Sequence, residues 1–129
     1  MLDTDICIYL IKQSPKNVLD NLRLKRHDGL AISSITLAEL ELGVQKSSYP
    51  ERNTIALNKV LSILAILPFD DNAAFEYGKV RAGSERKGTT IGSLDMLIAA
   101  HAKALGMTIV TNNVREFERI EGLIVENWA

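Results

Sequence analysis

The 129-residue sequence predicts an α/β domain with a mainly parallel sheet of four to five strands. Short apolar or β-branched runs alternate along the chain with longer segments of helical periodicity, an order typical of parallel sheets. Turn residues bound the short runs, with His27-Asp28-Gly29 before one of them and Gly106 before another. No linker, repeat or low-complexity segment interrupts this order, so we expect one domain over residues 1–129.

The positions of apolar residues and turn signals define the individual elements. The predicted strands are a segment that ends at Asp3, followed by residues 30–35, 66–69 (a strand or strand edge), 108–111 and 123–125. The predicted helical segments are residues 6–12, 18–22, 36–46, 50–64, 73–87 and 94–105, with a short helical turn at 114–119.

Several helix starts carry residues suited to capping. Thr36 and Glu39 have the spacing of a capping box, in which Thr36 caps the helix and Glu39 reaches back to the cap N–H. Asp70 is expected to cap the helix that follows it, and Ser93 is expected to cap the apolar helix that begins beside it.

Composition predicts a folded protein of a reducing compartment. Apolar residues make up 47% of the sequence, and its longest apolar run, residues 60–67, is far short of a membrane span. Cys7 has no partner for an internal disulfide and is expected in the core, and no charged-then-apolar leader opens the chain. We therefore expect a cytoplasmic protein with no membrane association. Because the formal net charge is −1, any binding of phosphate must be local.

Three acids stand where a parallel sheet would bring them together. Asp3 ends the first strand, Glu39 follows the second, and Asp95 lies in the first turn of an apolar helix. The binding crevice of an open parallel sheet lies outside the carboxyl ends of its strands. A helix N-cap would explain Asp3 alone, and a capping box explains Glu39 equally well from local sequence. The second acid at Asp5 calls for a further explanation, and we expect a site.

Acids without a nearby histidine form an oxygen-ligand set that suits Mg²⁺ or Mn²⁺. His27 lies in a turn, and His101 follows Asp95 by six residues, which places it off that face of the helix in an expected structural role. A Ser-His-Asp arrangement is therefore poorly supported. With a divalent ion held by Asp3, Glu39 and Asp95, the expected chemistry is hydrolysis of a phosphodiester by an activated water.

Four sequence blocks now stand out, in order, along almost the whole chain. They read MLDTDICIYL from residue 1, SSITLAEL from residue 33, GSLDMLIAAH from residue 92 and VTNNVREFERI from residue 110. Together they resemble the PIN-domain ribonucleases, specifically the VapC toxins of bacterial toxin-antitoxin pairs. The resemblance implies a three-layer α/β/α domain and a metal-dependent endoribonuclease that inhibits translation, with tRNA a frequent substrate. It also implies a homodimer, and a higher hetero-oligomer with a VapB-type antitoxin whose C-terminal segment blocks the acidic crevice.

Carried over by position, the family's first three acids fall on Asp3, Glu39 and Asp95, as metal ligands and catalytic residues. The expected supporting residues are Thr4, Asp5, Thr111 and Asn113. The basic residues expected to bind RNA are Arg81, Arg86, Lys87 and Arg115, although most basic clusters only solvate helix faces.

The chain departs from the family pattern at two positions. Asn113 stands where many members have a fourth acid, so a second metal ion is expected to bind weakly or not at all, with Thr111 or Asn113 acting through water. Asp5 stands where the family usually has Asn, and it either ligates the ion or raises a neighbour's pKa by repulsion. Glu116 is expected to be solvated.

Alternative functions follow from the same residues. The main alternative is a catalytically weak PIN protein that binds RNA or sequesters an antitoxin, because Asn113 replaces an acid. Asp3-Thr4-Asp5 matches the Asp-x-Asp core of haloacid-dehalogenase-like phosphatases, but no convincing later Lys or Asp-Asp block follows. A receiver-like module needs a Lys after a late strand, where Thr111-Asn112-Asn113 supplies none.

Overall fold

The computed structural model describes all 129 residues. Its strands are β1 (Ala31–Ser33), β2 (Ala65–Leu67), β3 (Ile109–Val110) and β4 (Val125–Glu126). Its helices are α1 (Thr4–Lys12), α2 (Lys16–Lys25), α3 (Ser34–Lys46), α4 (Pro50–Leu61), α5 (Asp71–Lys87), α6 (Ser93–Ala104) and α7 (Val114–Phe117), with a 3₁₀ turn at Arg26–Asp28. The predicted order of the helices and of the four later strands is confirmed, although these strands are shorter than predicted. The first predicted strand, which ends at Asp3, is reduced to a single bridge between Leu2 and Val110. None of the helices combines the length and the apolar content needed to cross a membrane.

Residues 1–3 join two pairs of parallel strands. β1 pairs with β2, and β3 pairs with β4. Between the pairs, the N–H of Leu2 donates to the carbonyl of Ala31 and that of Asp3 to the carbonyl of Val110, both at 2.8 Å. The predicted single sheet of four to five strands is therefore not confirmed in size. Two two-stranded sheets are bridged by a segment that stays short because α1 begins at Thr4.

The helices lie in two layers, one on each face of these strands. Successive side chains of an extended segment point to opposite faces. Leu2 and Val110 are buried among α1, α2, α3 and α4, whereas their neighbours Met1 and Ile109 are buried among α5, α6 and α7. The three-layer α/β/α arrangement implied by the resemblance is confirmed.

Apolar residues at helical spacing build each core. On α1, Ile6, Cys7 and Leu10 are all buried. Cys7 is fully buried, as expected, and burial raises the pKa of its thiol. On the other face, Phe117 of the short helix α7 is also fully buried, which ties the last third of the chain to α5 and α6.

The predicted cap of α3 is wrong. Ser33, the last residue of β1, caps the helix, because its Oγ accepts the N–H of Ile35 at 3.1 Å. Thr36 lies inside the helix and is fully buried. The capping box is therefore not formed, and the side chain of Glu39 is available for another contact.

The other predicted caps have mixed outcomes. Asp70 caps α5 as predicted, accepting the N–H of Ala73 at 3.1 Å. Ser93 instead forms the first residue of α6, and Gly92 occupies the cap position without a side-chain hydrogen bond.

His101 has the structural position that was expected of it. It is buried, its Nδ1 lies 2.8 Å from Oγ of Ser33, and its ring meets Phe69 edge to face with centroids 5.4 Å apart. Burial lowers the pKa of the imidazole. The residue therefore connects α6 to the start of α3.

We expect Leu57→Ala to destabilise the fold strongly, because Leu57 of α4 is 0% exposed. Removing a buried leucine side chain costs about 2–5 kcal/mol in free energy of unfolding. The matched control is Leu24→Ala on α2, at a side chain that is 78% exposed, where the change should stay within about 0.5 kcal/mol. Urea denaturation of both variants measures the difference, and equal losses would contradict the described packing.

Candidate active site

Asp3 connects the start of α1 to the end of β3. It is the N-cap of α1 and is 4% exposed. Its Oδ1 accepts the N–H of Thr4 at 2.7 Å, and its Oδ2 accepts the hydroxyl of Thr111 at 2.9 Å. Asp3 therefore caps a helix and at the same time faces the carboxyl end of a neighbouring strand.

Glu39 reaches the same place from α3. Oγ1 of Thr4 donates to Oε1 of Glu39 at 2.8 Å and lies 3.4 Å from Oγ1 of Thr36. The half-buried Glu39 side chain thus contacts the first residue of α1 and not the start of its own helix. Thr4, with its N–H on Asp3 and its hydroxyl on Glu39, joins two of the three predicted acids.

Asp5 belongs to the same network. Its Oδ2 accepts the N–H of Asn112 at 3.1 Å and lies 3.5 Å from Oγ1 of Thr111. Its Oδ1 is buried without a hydrogen-bond partner. A buried charged oxygen without a partner is unfavourable, so this atom is suited to a cation or a proton donor.

Asp95 enters the crevice from the first turn of α6 and meets Glu116 of α7. Glu116 acts on Asp95, because after burial it is the largest cause of the raised pKa of Asp95. Asn113 Nδ2 donates to Oε2 of Glu116 at 2.5 Å, while the Asn113 N–H donates to Oγ1 of Thr111 at 2.9 Å. Glu116 was expected to be solvated. Its side chain is half-buried and accepts the amide of Asn113, so it retains only part of that exposure.

The sequence around Glu116 carries a signal for this contact. Asn113 is the N-cap of α7, and Glu116 follows it by three residues. This is the spacing at which a cap residue and an acid approach each other at a helix start. Here the amide of Asn113 holds the acid and directs it into the crevice.

Repulsion among these carboxyl groups adds to the effect of burial on their pKa values. The pKa of Asp3 is raised to about 7, chiefly by burial and then by the charge of Asp5, while the hydrogen bonds from Thr111 and Thr4 act in the opposite direction. Burial likewise raises the pKa of Asp95 to about 7, with contributions from Glu116 and then Glu39. The neighbouring charges that act on both groups are carboxylates, so the crevice concentrates negative charge.

The donor chemistry of the crevice fits a hard divalent cation. Carboxylate oxygens are the ligands that Mg²⁺ and Mn²⁺ prefer, and the orphaned Oδ1 of Asp5 is such an oxygen. As the side chains stand, no three His, Cys, Asp or Glu groups converge closely enough to form a ready-made metal site. Asp3, Glu39 and Asp95 could hold an ion if their carboxyl groups turned toward it.

The basic residues predicted to bind RNA lie in three different surroundings. Arg86 and Lys87 line a pocket of about 310 Å³ beside α5 and α6. Arg81 does not line it. Its guanidinium donates to Oη of Tyr77 at 2.6 Å and to Oε1 of Glu85 at 2.9 Å. Arg115 is exposed on α7, next in sequence to Glu116.

Comparison with known proteins identifies the family of the chain. Residues 1–123 match the PIN domain. The chain belongs to the PIN-domain family. Among relatives of this PIN-domain protein, ribonuclease VapC2 of Rickettsia felis is 49% identical over 129 residues, covering 99% of this chain and 96% of the relative. The tRNA(fMet)-specific endonuclease VapC of Salmonella typhimurium is 45% identical over 129 residues, covering 100% of this chain and 97% of the relative.

Solved structures similar to this PIN-domain protein are toxin-antitoxin complexes. VapBC2 from Rickettsia felis, bound to a DNA fragment from its promoter, matches with a TM-score of 0.95 and 48% identity over 100% of this chain and 98% of that chain. DNA-bound VapBC from Salmonella typhimurium matches with a TM-score of 0.94 and 45% identity over 100% of this chain and 97% of that chain. The resemblance to the VapC group is confirmed.

We expect Asp95→Asn to stabilise the fold above neutral pH. Because the pKa of Asp95 is raised to about 7, the folded state binds more protons than the unfolded state between about pH 4 and 7, and the free energy of unfolding falls as pH rises through this range. In the variant, the free energy of unfolding should fall less steeply with pH. At pH 8 it should exceed that of the parent by about 1–2 kcal/mol, after allowing for solvent screening at a half-buried group.

Urea denaturation in chelator at pH 5 and pH 8 measures this effect. Asp28→Asn, at an exposed acid of the 3₁₀ turn, is the matched control. Equal pH dependence of the Asp95→Asn variant and the parent would contradict the described electrostatics.

Proposed function

We propose that this chain is the toxin of a toxin-antitoxin pair, a metal-dependent endoribonuclease that cleaves tRNA and so inhibits translation. The observation that carries the proposal is the hydrogen-bonded link from Asp3 through Thr4 to Glu39, beside which the charge of Asp95 helps to raise the pKa of Asp3. The relative in Salmonella typhimurium is a tRNA(fMet)-specific endonuclease, which makes tRNA(fMet) the first substrate to test.

The proposed cofactor is Mg²⁺ or Mn²⁺, held by Asp3, Glu39 and Asp95. Two features support it: the carboxylate donors, and the repulsion among them that a cation would offset. When bound, such an ion lowers the pKa of water and offsets negative charge on phosphate oxygens. Asn113 is not an acid, so we propose Glu116 as the fourth carboxylate of the site.

Hydrogen bonds within the chain fix the proposed catalytic groups. Thr4 orients Asp3 and Glu39, and Thr111 orients Asp3. Glu116 is held through one carboxylate oxygen by Asn113, and we propose that its other oxygen takes a proton from the attacking water. As the water oxygen bonds to phosphorus, one P–O bond of the phosphodiester breaks and the leaving oxygen takes a proton from solvent water, while Glu116 returns its proton to solvent.

The proposed assembly follows the relatives. Structures of VapBC complexes from Rickettsia felis and Salmonella typhimurium support a cognate VapB-type antitoxin as the partner of this chain. We further propose a homodimer within a higher hetero-oligomer, a single nuclease domain over residues 1–129, and action in the cytoplasm, where tRNA is found.

Asp95→Asn is expected to abolish cleavage of tRNA(fMet) while the fold is retained. Mutating a residue that only hydrogen-bonds to a metal ligand lowers activity or metal affinity about 10–100-fold. Neutralising a ligand itself should therefore lower kcat/KM at least about 100-fold. The measurement uses protein freed of antitoxin, with Mn²⁺ or Mg²⁺, and gel analysis of tRNA fragments. Asp28→Asn is the control.

Chelator should stop cleavage by the parent, and added Mn²⁺ should restore it. Turnover also separates a nuclease from a protein that only binds RNA. An Asp95→Asn variant that cut at the parent rate would refute the proposed site.

Glu116→Gln tests the residue that the sequence analysis missed. Because Gln cannot accept a proton from water, we expect kcat to fall about 100-fold, within the range of general acid-base contributions, with little change in KM. Glu118→Gln, two residues away and exposed, is the matched control. Equal rates for the two variants would show that Glu116 has no part in the reaction.

A further inference from the structure

A second concave site lies on the opposite layer from α1. The pocket of about 310 Å³ is bounded by α5, by Thr89 in the α5–α6 loop, by Lys103 of α6 and by residues 119–121 after α7. Only two of its twelve lining residues are hydrophobic. Pockets for small organic molecules are mostly apolar, so this one is suited to a charged ligand.

Cationic side chains outnumber acidic ones in this pocket. Its acids are Glu76 and Glu121, and its cations are Lys79, Arg86, Lys87, Lys103 and Arg119. Lys87 pairs with Glu121 at 2.6 Å, and Lys103 lies 3.6 Å from Glu76.

Three positive charges are therefore not offset by an acid of the pocket, those of Lys79, Arg86 and Arg119. The chain as a whole has a formal net charge of −1. The pocket is thus a local anion site on a molecule without general attraction for polyanions.

The pocket adjoins the acidic crevice through Arg119. The N–H of Arg119 donates to the carbonyl of Glu116 at 3.1 Å, so the two residues are one helical turn apart. The Arg119 guanidinium donates to the carbonyl of Thr90 at 3.2 Å, in the loop that leads into the helix of Asp95. The loop before α6 therefore lines the pocket and leads to Asp95, and the segment from Glu116 to Arg119 likewise connects an acid of the crevice to the pocket.

We propose that this pocket binds a backbone phosphate of the RNA, close to the bond that is cleaved. The inference rests on the proposed nuclease function. Carboxylates in the crevice repel a polyanion, so the substrate needs positive charge beside the crevice. The pocket provides that charge within one helical turn of Glu116, with guanidinium groups that match phosphate geometry and the hydroxyls of Ser84 and Thr89 among its lining.

The test removes two unpaired cations at exposed positions, in the double variant Lys79→Gln/Arg86→Gln. Binding of fluorescently labelled tRNA(fMet) is measured by anisotropy in chelator over a range of salt concentrations. Each phosphate contact contributes about 0.7–0.9 to the slope of log K against log salt, so the slope should fall by about 1–2. In cleavage assays with metal, KM should rise and kcat should stay unchanged.

The control removes the same number and type of charges outside the pocket, in Arg23→Gln/Lys46→Gln, both at exposed positions. If the pocket variant has the same salt slope and KM as this control, the inference is overturned, even if the parent cuts tRNA. The same result is expected if the pocket binds an acidic peptide and not RNA. If the parent cuts no RNA but the slope falls as expected, the nuclease function fails and the phosphate pocket stands. If the parent binds no tRNA, both fail.

Discussion

The backbone hydrogen bonds of residues 1–3 hold this molecule together at its centre. On one side they reach Ala31 of β1, and on the other Val110 of β3. Without them, the two strand pairs would have no connection through the sheet, and the helical layers would lose the surface between them. The same three residues end in Asp3, which caps α1 and accepts the hydroxyl of Thr111. The connection of the sheet and the position of the first acid are therefore one structural feature.

Stability and the proposed chemistry oppose each other in the crevice. Burial raises the pKa of Asp3 and of Asp95, which means that the folded chain disfavours their charged forms. Hydrogen bonds from Thr4 and Thr111 offset this only in part. Strain of this kind is typical of sites that bind a cation or a proton during function. The apolar cores on both faces must supply the free energy that keeps these groups together.

Much of the fold could be predicted because its boundaries have local causes. Pro50 begins α4, and Gly88, in the left-handed region at φ 66°, ends α5. The lengths of the strands could not be predicted, since pairing depends on partners far along the chain. Leu2 and Val110, for instance, pair across more than a hundred residues of sequence. A pattern of apolar residues does not indicate how many residue pairs such a strand pairing contains.

The site was predictable to a similar degree. Asp3 and Asp95 stood out because each interrupts an apolar run, and in the structure the charge of Asp95 helps to raise the pKa of Asp3. Glu39 was ambiguous because a cap and a site place an acid at the same spacing. The choice between them depends on Thr4, which lies 35 residues earlier in the chain. Glu116 was expected to be solvated because charged residues in short turns usually are, and its contact with the amide of Asn113 appears only in the structure.

Cys7 gives this architecture an internal probe. It lies on α1, one turn beyond Asp3, and burial suppresses its thiolate. A thiol reagent can therefore reach it only when α1 separates from the layer beneath. The rate of alkylation at this single thiol reports how often that separation occurs. If an added ion or partner slows the alkylation, the decrease in rate measures how much it stabilises α1 against local opening.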